Sequence, residues 1–287
     1  MWRLAGVGGG ERGSPMPQPT SASDQRPEIE RAFGLPAPVG VPVQFEAIVD
    51  EIARFTDLPR DAVVARVWAE ALEDGWNVSR DVERFGGTPH HYDERLARVY
   101  REGDGFIFET LVFWATRARQ RWSALAADRL AVHAARHGRV ERDLRILMLG
   151  DGAGNDSLYL TGRGYRVEYF DQPGSRTFEF ARRRFAASGL LGDRVRLVES
   201  YGAIPRSAYD AVLSFEVLEH LPDPLGAMRD IAAFLKPGGI ALVTEAFMHV
   251  TAALPTHLDA NRRFAGRTPF LFLAHGLTLT WYGIAPR

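Results

Sequence analysis

The sequence predicts an α/β protein with a doubly wound, mostly parallel sheet, preceded by an all-helical region. Its 287 residues allow one large domain or two modest ones. After residue 140, short apolar runs alternate with helix-like segments, which is typical of parallel strands covered on both faces by helices. Before residue 140, apolar and aromatic side chains recur at helical spacing.

The predicted elements follow in order from these patterns. Residues 106–137 predict one long helix, and residues 77–93 predict a polar, glycine-containing loop. In the second half, the predicted strands are residues 144–149, 166–170, 195–198, 211–214 and 240–244. The predicted helices there begin after residue 154 and span residues 175–188 and 225–235. A helix-like segment at 261–273 and a last strand at 277–284 complete the prediction.

Composition predicts three regions. Residues 1–40 contain seven glycines and six prolines and predict a flexible, dispensable leader. Residues 41–140 predict a helical accessory domain, and residues 141–287 the sheet-containing core. The loop that carries His90, His91 and Tyr92 is expected to close as a lid over a site; the alternative is that the helices only cap an apolar face of the sheet.

Charge and composition exclude several classes of function. The chain has 35 basic and 36 acidic side chains, which argues against a broad nucleic-acid-binding surface. It has no cysteine and therefore no disulfide, thiolate metal site or cysteine nucleophile. The absence of cysteine also fits a reducing cytoplasm, which is the expected location. No apolar stretch reaches the ~20 residues of a membrane span. Lys236 is the only lysine, which suggests a GC-rich bacterial genome, and Arg182, Arg183 and Arg184 are expected to form a solvated helix face.

A glycine-rich turn follows the first predicted strand. Gly150, Gly152 and Gly154 would permit a tight turn and let backbone N–H groups approach a ligand. Asp171 lies at the tip of the second strand, where a carboxylate can accept both hydroxyls of an adenosine ribose. The alternatives are that the glycines serve packing and that Asp171 caps a helix or forms a turn.

Four motifs occur in a recognisable order. They read LGDGAG at residues 149–154, YFD at 169–171, YDAVLSFEVLEHL at 209–221 and LKPGG at 235–239. Together they resemble the class I S-adenosylmethionine-dependent methyltransferases. The resemblance covers about residues 141–246 and implies a Rossmann-like fold with S-adenosylmethionine as the cofactor.

The resemblance also implies roles for individual residues. Asp171 would hold the ribose. At the adenine end, either Glu199 or Ser200 would contact the amino group, or Tyr201 would stack on the base. The amino-acid part of the cofactor would lie on Gly150, Asp151, Gly152, Ala153 and Gly154, and the methyl group would face Phe215, Glu216 and Val217.

A sulfonium methyl group is already activated, so catalysis mainly requires alignment of the acceptor in a dry pocket. His220 and His257 are the candidate general bases, with His249 as another; the alternative for His220 is a packing role. No histidine–carboxylate spacing resembles a known metal site, and no metal is expected.

The expected function is methyl transfer to a small organic acceptor, such as a secondary-metabolite-type biosynthetic intermediate, in a pocket between the helical domain and the core. The alternatives are a macromolecular acceptor and a catalytically silent cofactor-binding protein. A nicotinamide-dependent oxidoreductase would share the glycine turn and Asp171 but would not explain the last two motifs. The sequence does not indicate an oligomeric state.

Overall fold

A computed structural model describes residues 41–283, and its centre is a sheet of five parallel strands. The strands lie in the order β3-β2-β1-β4-β5, so the predicted doubly wound α/β fold is confirmed. The leader predicted at residues 1–40 lies outside the described residues. The strands are β1 (Arg145–Leu149), β2 (Arg166–Phe170), β3 (Val195–Leu197), β4 (Tyr209–Phe215) and β5 (Leu235–Thr244).

Within residues 41–283, six α-helices precede the sheet and four accompany or follow it. The first six are α1 (Phe45–Phe55), α2 (Arg60–Leu72), α3 (Trp76–Phe85), α4 (Glu94–Glu102), α5 (Gly105–Ala115) and α6 (Arg117–Arg136). The others are α7 (Asn155–Gly162), α8 (Arg176–Ala187), α9 (Pro224–Phe234) and α10 (Thr268–Leu273). Within the described part of the chain, no helix has both the length and the apolar composition to cross a membrane.

The strand order places a crevice at one edge of the sheet. From β1 the chain first builds β2 and β3 on one side, and then crosses to β4 and β5 on the other side. The loops that leave β1 and β4 therefore diverge, and ligands bind in the opening between such loops in doubly wound folds. All seven residues of β4 are buried, so the strand that ends at this crevice is held in place by packing on both of its faces.

The helical region and the sheet share one buried core. A continuous apolar cluster extends from Phe45 in α1 through Phe108 in α5 to Phe185 in α8 and Phe215 in β4. A second cluster, which includes Met228 and Ile231 of α9, covers the opposite face of the sheet. Helices α1, α2, α5 and α6 thus share the core of the sheet, whereas Val82 of α3 and Leu96 and Val99 of α4 pack in a separate cluster with Leu258.

The prediction of one long helix over residues 106–137 was wrong, because Thr116 interrupts it. The Thr116 backbone is extended, at φ −69° and ψ 145°. Its side-chain oxygen accepts the backbone N–H of Arg119 at 3.2 Å and so caps α6. The chain therefore ends α5 and begins α6 at a single residue.

The prediction of a loop over residues 77–93 was also wrong in its first half, which forms α3. The buried carboxylate of Glu70 accepts the backbone N–H groups of Gly75 at 2.7 Å and Asn77 at 2.9 Å, and so satisfies donors at the start of α3. Val78 and Val82 then bury one face of the helix. The loop shortens to residues 86–93.

The last predicted strand, at residues 277–284, is absent from the described part, which ends at residue 283. Gly276 adopts φ +83°, and Leu277 donates its backbone N–H to Phe272 at 3.2 Å, which closes a turn against α10. Leu279 and Trp281 are more than half exposed. Their alternation resembles a strand, but they face solvent instead of a sheet.

Candidate active site

A cavity of about 720 Å³ opens at the carboxyl ends of β1 and β4, beneath the helical region. This volume falls within the range of roughly 300–1,000 Å³ that is usual for small-molecule sites. Both halves of the chain contribute to its wall. The predicted site residues that line it are Gly150, Asp151, Gly152, Asp171, Tyr201, Phe215, Glu216, Val217, His220 and His257. Ala153, Gly154, Ser200 and His249 are not among the lining residues.

The glycine turn forms the floor of this cavity. Gly150, with φ +80°, donates its N–H to the Phe170 carbonyl at 2.8 Å, which ties the turn to the end of β2. A Cβ at Gly150 would lie 2.5 Å from Val217. Gly154, at φ +78°, lies behind the turn, where a Cβ would be 2.5 Å from the Phe185 ring. The first glycine shapes the cavity and the last serves packing.

We expect Gly154→Ala to destabilise the fold more than Gly174→Ala does. Both glycines have φ +78°, so both alanines pay the left-handed backbone cost of roughly 1–2 kcal/mol. Only Gly154 has a neighbour within 4 Å, and overpacking adds roughly 1–3 kcal/mol. Urea unfolding of the two variants measures the difference in their free energies of unfolding. Equal losses of stability would show that the Phe185 ring can move aside without an energetic penalty.

Asp171 faces the cavity from the tip of β2, as its position in the sequence predicts. Its two carboxylate oxygens accept the backbone N–H groups of Gly152 and Gln172, each at 2.6 Å. Burial raises the pKa of Asp171, and these two backbone donors oppose the rise. The carboxylate thus joins the β2 tip to the glycine turn at the point where a ribose would bind.

Asp151 has a different local role. Its carboxylate accepts the backbone N–H groups of Asp156 at 3.0 Å and Ser157 at 2.7 Å, and so satisfies orphan donors at the start of α7. Burial and the nearby charge of Asp156 raise the pKa of Asp151 to about 7. Asp151 holds the helix whose first residues, Asn155 and Asp156, line the cavity.

Aromatic rings bound the end of the cavity at which the family resemblance would place the adenine. Tyr201 and Phe170 both line it, with ring centroids 5.5 Å apart in an edge-to-face arrangement. The Tyr201 hydroxyl donates to Asp230 at 3.1 Å, which fixes the ring. Of the three alternatives left open by the sequence, this geometry favours an aromatic wall by Tyr201, because neither Glu199 nor Ser200 lines the cavity.

The loop after β4 carries local strain at the cavity wall. Glu216 has φ +55°, an uncommon value for a residue other than glycine. Its N–H donates to the backbone carbonyl of Thr244 at 3.2 Å and to the Thr244 hydroxyl at 3.1 Å, which holds this conformation. Strain of this kind clusters at functional sites.

Two histidine rings meet on the acceptor side of the cavity. The His220 and His257 centroids are 4.7 Å apart and nearly perpendicular. His220 Nδ1 is 3.2 Å from both the Thr256 carbonyl oxygen and the Tyr100 hydroxyl. The Thr256 carbonyl can only accept, which favours the tautomer with a proton on Nδ1 and the lone pair of neutral His220 on Nε2; the Tyr100 hydroxyl can either accept from Nδ1 or donate to it. Burial raises the pKa of Tyr100 far above its usual value, so its hydroxyl stays protonated.

Glu219 adjoins this pair and is fully buried. One side-chain ligand atom from each of Glu219, His220 and His257 lies within 4.8 Å of the other two. A tetrahedral site with bonds of about 2.1 Å needs separations of roughly 3.4 Å. The cluster can therefore perform acid–base chemistry as it stands, whereas metal binding would require it to contract.

Sequence reasoning missed the buried polar network that joins α5 and α6 to α7. Arg119 forms an ion pair with Asp156, and their side chains are 7% and 3% exposed. The Asp156 carboxylate also accepts hydrogen bonds from Ser123 at 2.5 Å and from Trp114 Nε1 at 3.2 Å. Arg119, Asp156 and Trp114 line the cavity. The only signal was an acid in the first turn after the glycines.

Arg184 corrects the expectation of a fully solvated arginine face. Arg182 and Arg183 are exposed, but Arg184 is buried. It donates to the Ala153 carbonyl at 2.5 Å and to Asn155 at 2.8 Å, and pairs with Glu51 of α1 at 2.9 Å. Arg184 therefore supports the glycine turn from behind.

The glycine turn, the β2-tip aspartate and the aromatic wall at a topological switch point define an α/β protein that binds an adenosine-containing cofactor. A family model described as a methyltransferase domain matches residues 114–286, well over half of the chain. The chain belongs to this methyltransferase family, whose cofactor is S-adenosylmethionine. The cavity and the Asp171 carboxylate fit that cofactor.

Several known proteins are similar to parts of the chain. A ubiquinone biosynthesis O-methyltransferase of Methylocella silvestris is 42% identical over 98 residues, 34% of this chain and 38% of the relative. One from Xanthomonas axonopodis pv. citri is 38% identical over 96 residues, 33% and 40% of the two chains. The match thus spans about two fifths of these relatives. A solved O-methyltransferase family protein from Burkholderia thailandensis is 18% identical, covers 77% of this chain and 68% of its own, and has a TM-score of 0.48.

Proposed function

We propose that this protein transfers the methyl group of S-adenosylmethionine to a hydroxyl oxygen of a small biosynthetic acceptor, with His220 as general base. The proposal rests on one observation: a single cavity joins the cofactor floor at Gly150 and Asp171 to the His220–His257 pair. The names of the curated relatives support oxygen as the methylated atom.

The cavity wall favours a small, flat acceptor over a macromolecule. Helices and loops of residues 41–140 contribute aromatic rings, which provide apolar surface with fixed geometry. Ionisable groups on the wall are mostly acidic, with arginine only at Arg119 and Arg229, so the wall does not suit a nucleic-acid backbone. The aromatic side chains that residues 41–140 contribute to the wall are Tyr92, Tyr100, Phe106, Phe113 and Trp114.

The side chains supply positioning and proton removal. When bound, S-adenosylmethionine supplies a methyl group that its sulfonium already activates. The aromatic wall would hold the acceptor oxygen in line with that group and exclude water. His220 Nε2 would take the hydroxyl proton as the oxygen attacks, and the Thr256 carbonyl would stabilise the resulting imidazolium through Nδ1–H.

We expect His220→Ala to lower kcat by about 10²–10⁴-fold, the usual contribution of a general base, with cofactor affinity retained. The assay measures S-adenosylhomocysteine formation by mass spectrometry against a panel of small phenols and aliphatic alcohols. His137→Ala is the matched control, because His137 is exposed and lies outside the cavity wall. Unchanged turnover in His220→Ala would contradict the proposed base.

The same assay separates the remaining alternatives. Turnover should persist after dialysis against a chelator, as expected without a metal. Loss of activity that a divalent cation restores would assign Glu219, His220 and His257 to metal binding instead. Tight cofactor binding without turnover of any small acceptor would favour a macromolecular acceptor or a catalytically silent protein.

A further inference from the structure

The segment of residues 254–261 holds the histidine pair in place. It carries His257, and its Thr256 carbonyl accepts Nδ1–H of His220. Leu258 donates its backbone N–H to the Glu219 carbonyl at 3.0 Å, and the Asn261 side-chain amide donates to the same carbonyl at 3.0 Å. The positions of both rings therefore depend on this segment, which contains no α-helix or strand.

His90 fastens this segment from outside the cavity. Its backbone N–H donates to the Pro255 carbonyl at 2.7 Å, and its carbonyl accepts the N–H of Asp259 at 3.1 Å. Its ring Nδ1 lies 2.9 Å from the backbone carbonyl of His257, which can only accept, so Nδ1 donates. These three bonds bracket His257 on both sides.

The backbone of His90 is strained to make these bonds. His90 has φ +64°, in the left-handed region that favours glycine. A glycine would adopt this conformation without strain, but it would lack the ring that bonds to His257. Strained residues persist where surrounding contacts determine the conformation, and they cluster at functional sites.

We propose that His90 is a positioning residue for methyl transfer. His90 is not among the residues that line the cavity. It fixes residues 255–259 so that His257 packs on His220 and the Thr256 carbonyl stays on His220 Nδ1. This inference rests on the proposed function, in which His220 Nε2 is the base. Among its loop neighbours, Tyr92 lines the cavity, whereas His91 does not.

The test compares His90→Gly with His90→Asn. Glycine accepts the left-handed backbone but removes the side-chain bond, so the melting temperature should stay close to that of the parent. We expect kcat to fall by about 10–100-fold, the scale of a misplacement of about 1 Å, with acceptor KM and the Kd for S-adenosylhomocysteine unchanged. Asparagine tolerates this φ and its amide can donate to His257, so His90→Asn should recover kcat to within about threefold.

Arg95→Ala is the matched control. Arg95 Nη1 donates to the Gly86 carbonyl at 3.1 Å, so it anchors the other end of the same loop without touching residues 255–259. This variant should keep the parental kcat. A wild-type kcat in His90→Gly, an equal loss in Arg95→Ala, or a rise in KM alone would each overturn the proposal; the last result would mean that the loop contacts the acceptor directly.

A readout that does not depend on turnover separates this inference from the proposed function. Imidazole ¹⁵N NMR reports the Nδ1–H of His220, which should be preserved in His90→Asn and lost or broadened in His90→Gly. If His220→Ala shows that His220 is not the base, the NMR result still decides whether His90 positions the ring. An unchanged His220 signal in His90→Gly would overturn the positioning role.

Discussion

Asp171→Ala should lower the affinity for S-adenosylmethionine by at least about 100-fold. Hydrogen bonds to a charged group contribute roughly 1.5–3 kcal/mol each, and the family resemblance implies that this carboxylate accepts two ribose hydroxyls. The substitution also removes the acceptor for the Gly152 N–H, which loosens the floor of the cavity. Calorimetry with S-adenosylmethionine and S-adenosylhomocysteine measures the loss.

Two variants make this result specific to Asp171. Asp193→Ala removes an exposed carboxylate outside this cavity and should leave affinity unchanged. Asp171→Asn keeps the shape but not the charge. Because burial raises the pKa of Asp171, this carboxylate becomes protonated at a higher pH than an exposed aspartate does. The affinity of the wild-type protein for the cofactor should therefore decrease as the pH is lowered. The affinity of Asp171→Asn should change less. Parental affinity in Asp171→Ala would show that the carboxylate is only a turn residue.

The sheet could be predicted from sequence because its signals are local. Each strand is a short apolar run, and the sequence prediction for residues 166–170 coincides with β2. The glycine turn and Asp171 follow strands directly, so the parallel sheet brings their positions together. The family resemblance placed Phe215, Glu216 and Val217 beside them.

Two elements of the helical region were predicted wrongly, because a side-chain hydrogen bond to the backbone determines where a helix begins. Thr116 breaks an apolar pattern that otherwise continues, and only its capping bond reveals the break. In α3 the polar residues suggested a loop, but the Glu70 carboxylate supplies acceptors for its first N–H groups from an earlier helix. Glu70 is only five and seven positions from Gly75 and Asn77, but its side chain belongs to the preceding helix, and no local capping pattern identifies it as the acceptor.

The acceptor side of the cavity could be predicted only in part, for a related reason. His220 and His257 are 37 positions apart, and their contact depends on the irregular segment 254–261. His90 was expected to be a lid residue because glycines flank its loop, but its hydrogen bonds are directed to the backbone of that segment. Arg184 was expected in solvent with its two neighbours, although its spacing from Phe180 and Ala181 places it on the buried face of α8.

Arg119→Met should destabilise the protein by about 3–5 kcal/mol, which is the usual cost of leaving one member of a buried ion pair alone. Asp156 would keep Ser123 and Trp114 as donors but would lose Arg119, the cation with which it pairs among the described residues. Because this network joins α6 to α7, the loss should affect the attachment of the helical region to the core. Urea unfolding without cofactor measures it, since Arg119 also lines the cavity.

Arg98→Met is the control for an exposed ion pair, because Arg98 and Glu102 lie within one helix and both side chains are about half exposed. The urea midpoint of the Arg98→Met variant should match that of the parent. The double variant Arg119→Met with Asp156→Leu should recover much of the lost stability, since apolar replacements of a whole buried pair are often nearly neutral. If Arg119→Met costs no more than Arg98→Met, water reaches Asp156 and the network is not the link between helices and sheet. If Arg119→Met instead lowers the free energy of unfolding and the double variant restores it, Arg119 contributes mainly by neutralising the buried charge of Asp156. The other hydrogen bonds of Asp156 then position the start of α7 beside the glycine turn.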